Sequence, residues 1–327
     1  MKRYVAIATR IFLFFYFLHF AQICQADSHN FEQDNCTSRL LTKGEGCFVY
    51  EVKDNKTSIP VYYYIPAKLN SNTQIVFAMH GENRNARDYR NDWRKIYNHS
   101  QSNLILLAPQ FGQNDFPGYA SYNLGNMFTK SLIRLKSQDQ WAFSDIENIF
   151  DFVNKSEKLQ LSSYYIYGHS AGAQFVHRMV IFMPHTRIRK AVAAEAGSYT
   201  IPNKYIEYPC GLKKQTGNHL PLVELKTAFS TPMTIILGKK DNKPLSDEHD
   251  TYSCDAQQGS NRLNRGEYFY TQVKKIANSR NENLSWTLKQ VTAAHIVAHT
   301  NPPIEDPMLV SCAALEFFPN LKGINCN

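Results

Sequence analysis

Tyr164-Tyr165-Ile166-Tyr167-Gly168-His169-Ser170-Ala171-Gly172-Ala173-Gln174-Phe175 is the stretch on which the reading of this chain turns. Residues 164–167 form a short apolar run with strand character. Residues 171–182 place Phe175, Met179 and Phe182 on one face of a helix. Between them, Gly168-His169-Ser170-Ala171-Gly172 has the pattern G-x-S-x-G. A serine at such a strand-to-helix turn is held in strained backbone geometry, with its hydroxyl above the carboxyl edge of a sheet. Glycines flank it because a Cβ at either position would collide with the neighbouring strand and helix. Ser170 therefore reads as a nucleophile.

Working outward, the pattern is alternating α and β. Residues 48–53 and 60–65 are rich in Val and Tyr and are separated by Asp54-Asn55-Lys56-Thr57, which predicts an antiparallel hairpin. Residues 74–79 and 104–108 are continuous apolar runs, as buried parallel strands should be. Further strands are expected at 190–194, 233–237 and 286–291, and helices at 85–96, 143–153, 268–277 and 306–318. Strands alternating with helices predict an α/β fold with a mostly parallel sheet covered on both faces. No linker splits residues 27–327, which read as one catalytic domain. The irregular stretch 199–230 is expected to be a cap insertion over the site.

A nucleophilic serine needs a base, and the base needs an orienting carboxylate. On a fold of this kind the chain order is Ser, acid, His. Asp241 stands just beyond the strand 233–237, after Gly238-Lys239-Lys240, and His295 stands just beyond 286–291, after Thr292-Ala293-Ala294. Both positions lie at the sheet edge that displays functional loops. Taken alone, Asp241 reads equally well as a turn former and His295 as a hydrogen-bonded core imidazole. Their joint spacing favours the catalytic roles. Glu195, at the end of 190–194, is the reserve acid, and His299 is the reserve base. His295 and His299 stand four apart like a helical zinc pair, but Ile296 occupies the place of the metalloprotease Glu. The oxyanion donors are expected to be the backbone N–H of Ala171 and that of Glu82, in the loop His80-Gly81-Glu82-Asn83. His80 reads as a brace for that loop, and His169 as a packing residue pointing away from Ser170.

Residues 1–26 have the order of a secretory signal: Lys2, Arg3 and Arg10, then the apolar run 11–23, then Cys24-Gln25-Ala26. The run is too short for a membrane span, so the mature protein is expected to be secreted or periplasmic, with no integral membrane segment. Beyond Cys24 six cysteines remain: Cys36, Cys47, Cys210, Cys254, Cys312 and Cys326. An even number in an exported chain predicts disulfides. Local loop closure favours Cys36–Cys47, Cys210–Cys254 and Cys312–Cys326. Of 327 residues, 43% are hydrophobic and 20% charged, which excludes disorder and coiled coil. The net charge of +8 is spread along the chain without a basic block, so nucleic acid is not an expected partner.

Met79-His80-Gly81 with Asn83 and Tyr89, the elbow 168–175, and Leu237-Gly238 with Asp241 together resemble the α/β-hydrolase superfamily. Within it they are most similar to secreted esterases and polyhydroxyalkanoate-depolymerase-like hydrolases, over about residues 48–318. The resemblance implies an N-terminal antiparallel hairpin on a mostly parallel sheet, with Ser170 as nucleophile, Asp241 as acid and His295 as base. It also implies a small or polymeric ester as substrate, and no metal or organic cofactor. Ala293-Ala294-His295 lacks the glycine usual before that histidine, which leaves His299 in play. A peptidase or amidase on the same fold, or a non-catalytic binding protein, are the alternatives.

Overall fold

In the computed structural model the described residues are 36, 41–53, 57–100, 103–129, 134–213, 220–245, 255–297 and 304–326. The hairpin is β1 (Gly44–Glu51) and β2 (Ser58–Ile65), paired antiparallel with Gly44 opposite Ile65. There follow β3 (Gln74–Met79), α1 (Ala86–Ser100), β4 (Leu104–Pro109) and α2 (Ala142–Ser156). The elbow region is β5 (Tyr164–His169) and α3 (Ala171–Phe182), followed by β6 (Ile188–Ala194), α4 (Leu225–Ser230) and β7 (Met233–Gly238). Last come α5 (Arg262–Ser279), β8 (Trp286–Val291), the two-residue strands β9 (Ile296–Val297) and β10 (Ile304–Glu305), and α6 (Pro307–Phe317).

Eight strands form one sheet in the order β1-β2-β4-β3-β5-β6-β7-β8. β2 joins β4 antiparallel, and every pairing from β4 through β8 is parallel. This is the α/β-hydrolase fold. β3, β4, β5 and β7 are buried almost end to end, which is why they read as unbroken apolar runs. β8 lies at an edge and buries only its ends, Trp286 and Val291, fully. The chain leaves β3 toward β4 on one side and returns to β5 on the other, so the loops after β3 and β5 diverge and open a crevice at the carboxyl edge.

Most elements fall where the apolar patterns place them, but β1 starts four residues before the expected strand, α4 is a short helix within the stretch read as irregular, and β9 and β10 were not expected. α5 starts at Arg262, six residues before the expected helix, because Asn261 caps it: the Asn264 N–H donates to Asn261 Oδ1 at 2.8 Å. Phe111, Phe116 and Tyr122 are buried, and Phe111 and Tyr122 pack on Phe175; Tyr119 is the exposed aromatic of that loop. The described part of 199–230 packs through Tyr199 on Phe269 and through Tyr208 on Phe128 and Phe182. Cys312 is bridged to Cys326. Cys36, Cys47 and Cys210 are also disulfide-bonded, while Cys254 and the segment 1–26 lie outside the described residues. Among the described residues no helix is long and apolar enough to cross a membrane.

The elbow is tight. A Cβ on Gly168 would stand 2.2 Å from Gly172 O, and one on Gly172 would stand 2.2 Å from Met79 O. Both obstacles are backbone, so no rotamer change relieves them. Gly172→Ala is expected to cost about 3 kcal/mol of stability, read as a lower urea midpoint with an unchanged slope. An unaltered midpoint would show that helix α3 does not press on β3 as described.

Candidate active site

Ser170 sits between β5 and α3 at φ 55° and ψ −114°, a conformation that L residues rarely adopt. Its backbone N–H is held by Ala194 O at 3.0 Å, which ties the turn to the end of β6. The strain is that of the elbow anticipated from the two glycines.

His295, four residues beyond β8, brings Nε2 to 3.2 Å from Ser170 Oγ. Its Nδ1 faces two carboxylates. Glu195 Oε2 lies at 3.0 Å in hydrogen-bonding geometry. Asp241 Oδ2 lies at 3.1 Å but out of line with the N–H, and has no hydrogen-bond partner among the described residues. Nδ1–H therefore donates to Glu195, and Nε2 offers its lone pair to the Ser170 hydroxyl. Glu195 follows β6 at φ 52°, a second strained non-glycine residue in the site. Asp241 follows β7 in a turn closed by its own N–H to Gly238 O at 3.0 Å. Four of the residues singled out in the sequence thus converge: Ser170, Asp241, Glu195 and His295. His299 lies outside the described residues.

The electrostatics follow from this crowding. Burial alone would lower the His295 pKa, but the Asp241 and Glu195 carboxylates outweigh it and hold it above the ordinary imidazole value. Burial alone would raise the Glu195 carboxyl, yet the neighbouring His169 imidazole and the hydrogen-bonded His295 bring it down to about 2. His169 Nε2 lies 3.6 Å from Glu195 Oε2, its Nδ1 pairs with the Tyr89 hydroxyl at 2.9 Å, and its ring stands 4.5 Å from that of His295. Burial first, and the neighbouring His295 second, lower its pKa to about 4, so it stays neutral. His169 Nε2, Glu195 and His295 Nδ1 are also close enough together to hold a metal ion. An ion there would take the Nδ1 lone pair and leave Nε2 protonated, unable to accept the serine proton.

Sequence reasoning missed Arg262. Its Nη1 lies 3.4 Å from Asp241 Oδ1 and balances one of the two carboxylates. The start of α5 carries little apolar periodicity, so only the Asn261 cap marked it. Arg178 was also unforeseen. Fully buried in α3, it donates to Thr200 Oγ1 at 2.9 Å and Gln174 Oε1 at 3.1 Å, fixing the loop that follows Glu195.

Gly81, Glu82 and Ala171, where the oxyanion donors are expected, line the hollows beside Ser170. A Cβ on Gly81 would stand 3.7 Å from Ser170 Cβ, so the β3 loop passes directly over Ser170. The backbone N–H groups of Glu82 and Ala171 have no partner among the described residues. His80 braces that loop: its Nε2 accepts from Phe111 N–H at 3.1 Å, its Nδ1 pairs with Gly81 O at 2.9 Å, and Tyr122 donates to its carbonyl at 2.7 Å. Burial lowers its pKa to about 3, so it is neutral.

Hollows of about 180 Å³ and about 250 Å³ adjoin Ser170, the first lined by His295 and Tyr89, the second by Ala171, Gln174 and Tyr119. The described residues of 199–230 line neither.

No family model and no curated protein matches the chain. Solved structures do. Poly(aspartic acid) hydrolase-1 from Sphingomonas sp. KT-1 is 34% identical, over 84% of this chain and 98% of its own, with a TM-score of 0.71. The poly(3-hydroxybutyrate) depolymerase LpqC from Bordetella parapertussis is 26% identical, over 86% and 92%, with a TM-score of 0.73. At that identity and coverage, on this sheet order and with a serine on this turn, the chain belongs to the α/β-hydrolase superfamily of serine hydrolases.

Proposed function

We propose that the protein is an exported serine esterase that cleaves carboxylic esters through an acyl-enzyme on Ser170, with His295 as base and Asp241 and Glu195 as its orienting acids. The observation that carries this reading is His295 bridging Ser170 Oγ and the two carboxylates. His295 Nε2 takes the Ser170 proton as Oγ bonds to the ester carbonyl carbon, and the oxygen turns negative toward the Glu82 and Ala171 N–H groups. Collapse breaks the carbon–oxygen bond to the alcohol, which leaves with the proton from Nε2. A water then repeats the sequence on the acyl-enzyme: its proton passes to Nε2 and on to Ser170 Oγ as the acid departs. The test is hydrolysis of a nitrophenyl ester together with fluorophosphonate labelling of Ser170. A chain that does neither is not an esterase.

A second reading has its own support. Poly(aspartic acid) is joined by amide bonds, and the hydrolase named for it shares 34% identity with this chain. An amidase would use the same residues but protonate a poorer leaving group, so a peptide anilide assayed beside the ester separates the two.

Two carboxylates on one imidazole predict shared duty. Asp241→Asn and Glu195→Gln are each expected to lower kcat/KM about 10- to 100-fold, because the remaining acid still holds the tautomer. Together they are expected to approach the ~10⁴-fold loss of a misoriented imidazole. The base works only when neutral, so activity falls as pH drops through the His295 pKa. That acid limb is expected above the ordinary imidazole value, and either substitution should move it down. A pH–rate profile checks this, and a limb unmoved in both variants would leave neither carboxylate acting on His295.

A further inference from the structure

His295 Nε2 must hand its proton to the departing oxygen, so the leaving group lies on the His295 side of Ser170. That side is the 180 Å³ hollow, bounded by Tyr89, Asp88, Asp92, His295 and Glu305. The only cationic side chain lining it, among the described residues, is Arg262, already engaged by Asp241. Lys95 meets Asp92 at 2.7 Å from the solvent side, itself 68% exposed.

Glu305 is the unusual member. Its position in β10, opposite Ile296, brings it beside the base. It is 5% exposed, and neither carboxyl oxygen has a hydrogen-bond partner among the described residues. Natural proteins seldom leave a buried carboxyl so unsatisfied. Burial, with Asp92 and Asp306 adding repulsion, pushes its pKa well up, and a cation placed against it would favour its charged form. Asp88, Asp92 and Glu305 do not form a cluster tight enough for a shared metal ion. An ammonium group on a flexible chain needs no such cluster, and its N–H donors supply what Glu305 lacks.

We propose that this hollow is a leaving-group subsite for a cationic alcohol, an amino alcohol whose ammonium group meets the Glu305 carboxyl. The proposal rests on the ester-hydrolase reading above and names the substrate class of that site. It separates this chain from a hydrolase of polyanions, whose leaving segment would bring no cation to Glu305 and would meet Asp88 and Asp92 beside it.

The test uses butyrate esters of amino alcohols of four, five and six carbons, the matching alkanols, and the matching hydroxy acids. The expected order of kcat/KM is cationic, then neutral, then anionic, with the best amino alcohol at least tenfold above its alkanol. Glu305→Gln is expected to bring that ratio to within about twofold of unity, and Asp92→Asn to lower it in part. The second variant keeps the test open if the first does not fold. Equal rates for charged and neutral esters in the parent protein, or a full ratio retained in Glu305→Gln, overturn the proposal while esterase activity stands. Hydrolysis of none of the esters, with no phosphonate labelling, overturns the ester-hydrolase reading and this subsite together.

Discussion

Ser170→Ala is expected to lower kcat/KM for a nitrophenyl ester by about 10⁶-fold and to abolish covalent labelling by a fluorophosphonate. The loss is large because Oγ is the atom that bonds to substrate. With it gone, His295 retains its lone pair and the carboxylates retain their grip, yet nothing stands between base and carbonyl. What remains is the contribution of the oxyanion N–H groups to attack by water. The fold is expected to survive: alanine is no more strained at φ 55° than serine, and the N–H bond to Ala194 O does not involve the side chain. Stability should therefore stay within about 0.5 kcal/mol of the parent. Urea unfolding and kinetics on one preparation separate the two effects, and intact mass after labelling reports the nucleophile directly. Full activity in this variant, or a label on another residue, would remove the serine-hydrolase mechanism.

His295→Ala is expected to lower kcat by at least ~10³-fold, since an unactivated hydroxyl is a poor nucleophile at neutral pH. The variant also leaves Glu195 and Asp241 facing each other without the imidazole between them, so one of them should take up a proton and the local packing should loosen. His299→Ala is expected to change kcat less than about tenfold. His295 is the imidazole that lies 3.2 Å from Oγ, and the same ring already engages both acids. Should His299→Ala be the dead variant and His295→Ala the active one, the base assignment falls, while the nucleophile and the fold remain. Rescue of His295→Ala by added imidazole would further distinguish a lost base from a lost shape.

Much of this was legible in the sequence because the relevant signals are local. Two glycines around Ser170, continuous apolar runs for buried strands, and Asp241 and His295 just past strand ends each reflect a backbone constraint that leaves a trace within a few residues. The relation between the two acids leaves no such trace. Glu195 and Asp241 both stand at the ends of neighbouring strands, and which one lies along the His295 N–H depends on side-chain directions across three strands. Arg262 was hidden because the first turn of α5 is polar and owes its helical state to the Asn261 cap. Glu305 was hidden because β9 and β10 are two residues long, too short for any alternation to register. Phe111, Phe116 and Tyr122 anchor their loop by packing on one another and on Phe175, whereas Tyr119 of the same loop lines a hollow beside Ser170.

β3, β5, β6, β7 and β8 are consecutive neighbours in the sheet, and the loop beyond each delivers one group to the same point. Ser170 and His295 are 125 residues apart along the chain, and Oγ and Nε2 are 3.2 Å apart in space. Parallel pairings of this span form slowly, because each closes a long loop before any contact rewards it. Until β8 docks on β7, Ser170 lacks the imidazole of His295 beside it, however well formed the elbow is. On the proposed mechanism, a chain still being synthesised, or one cut between the elbow and β8 and allowed to separate, is expected to be catalytically silent. On that mechanism activity requires β8 in place, and its return during refolding is expected to report that docking.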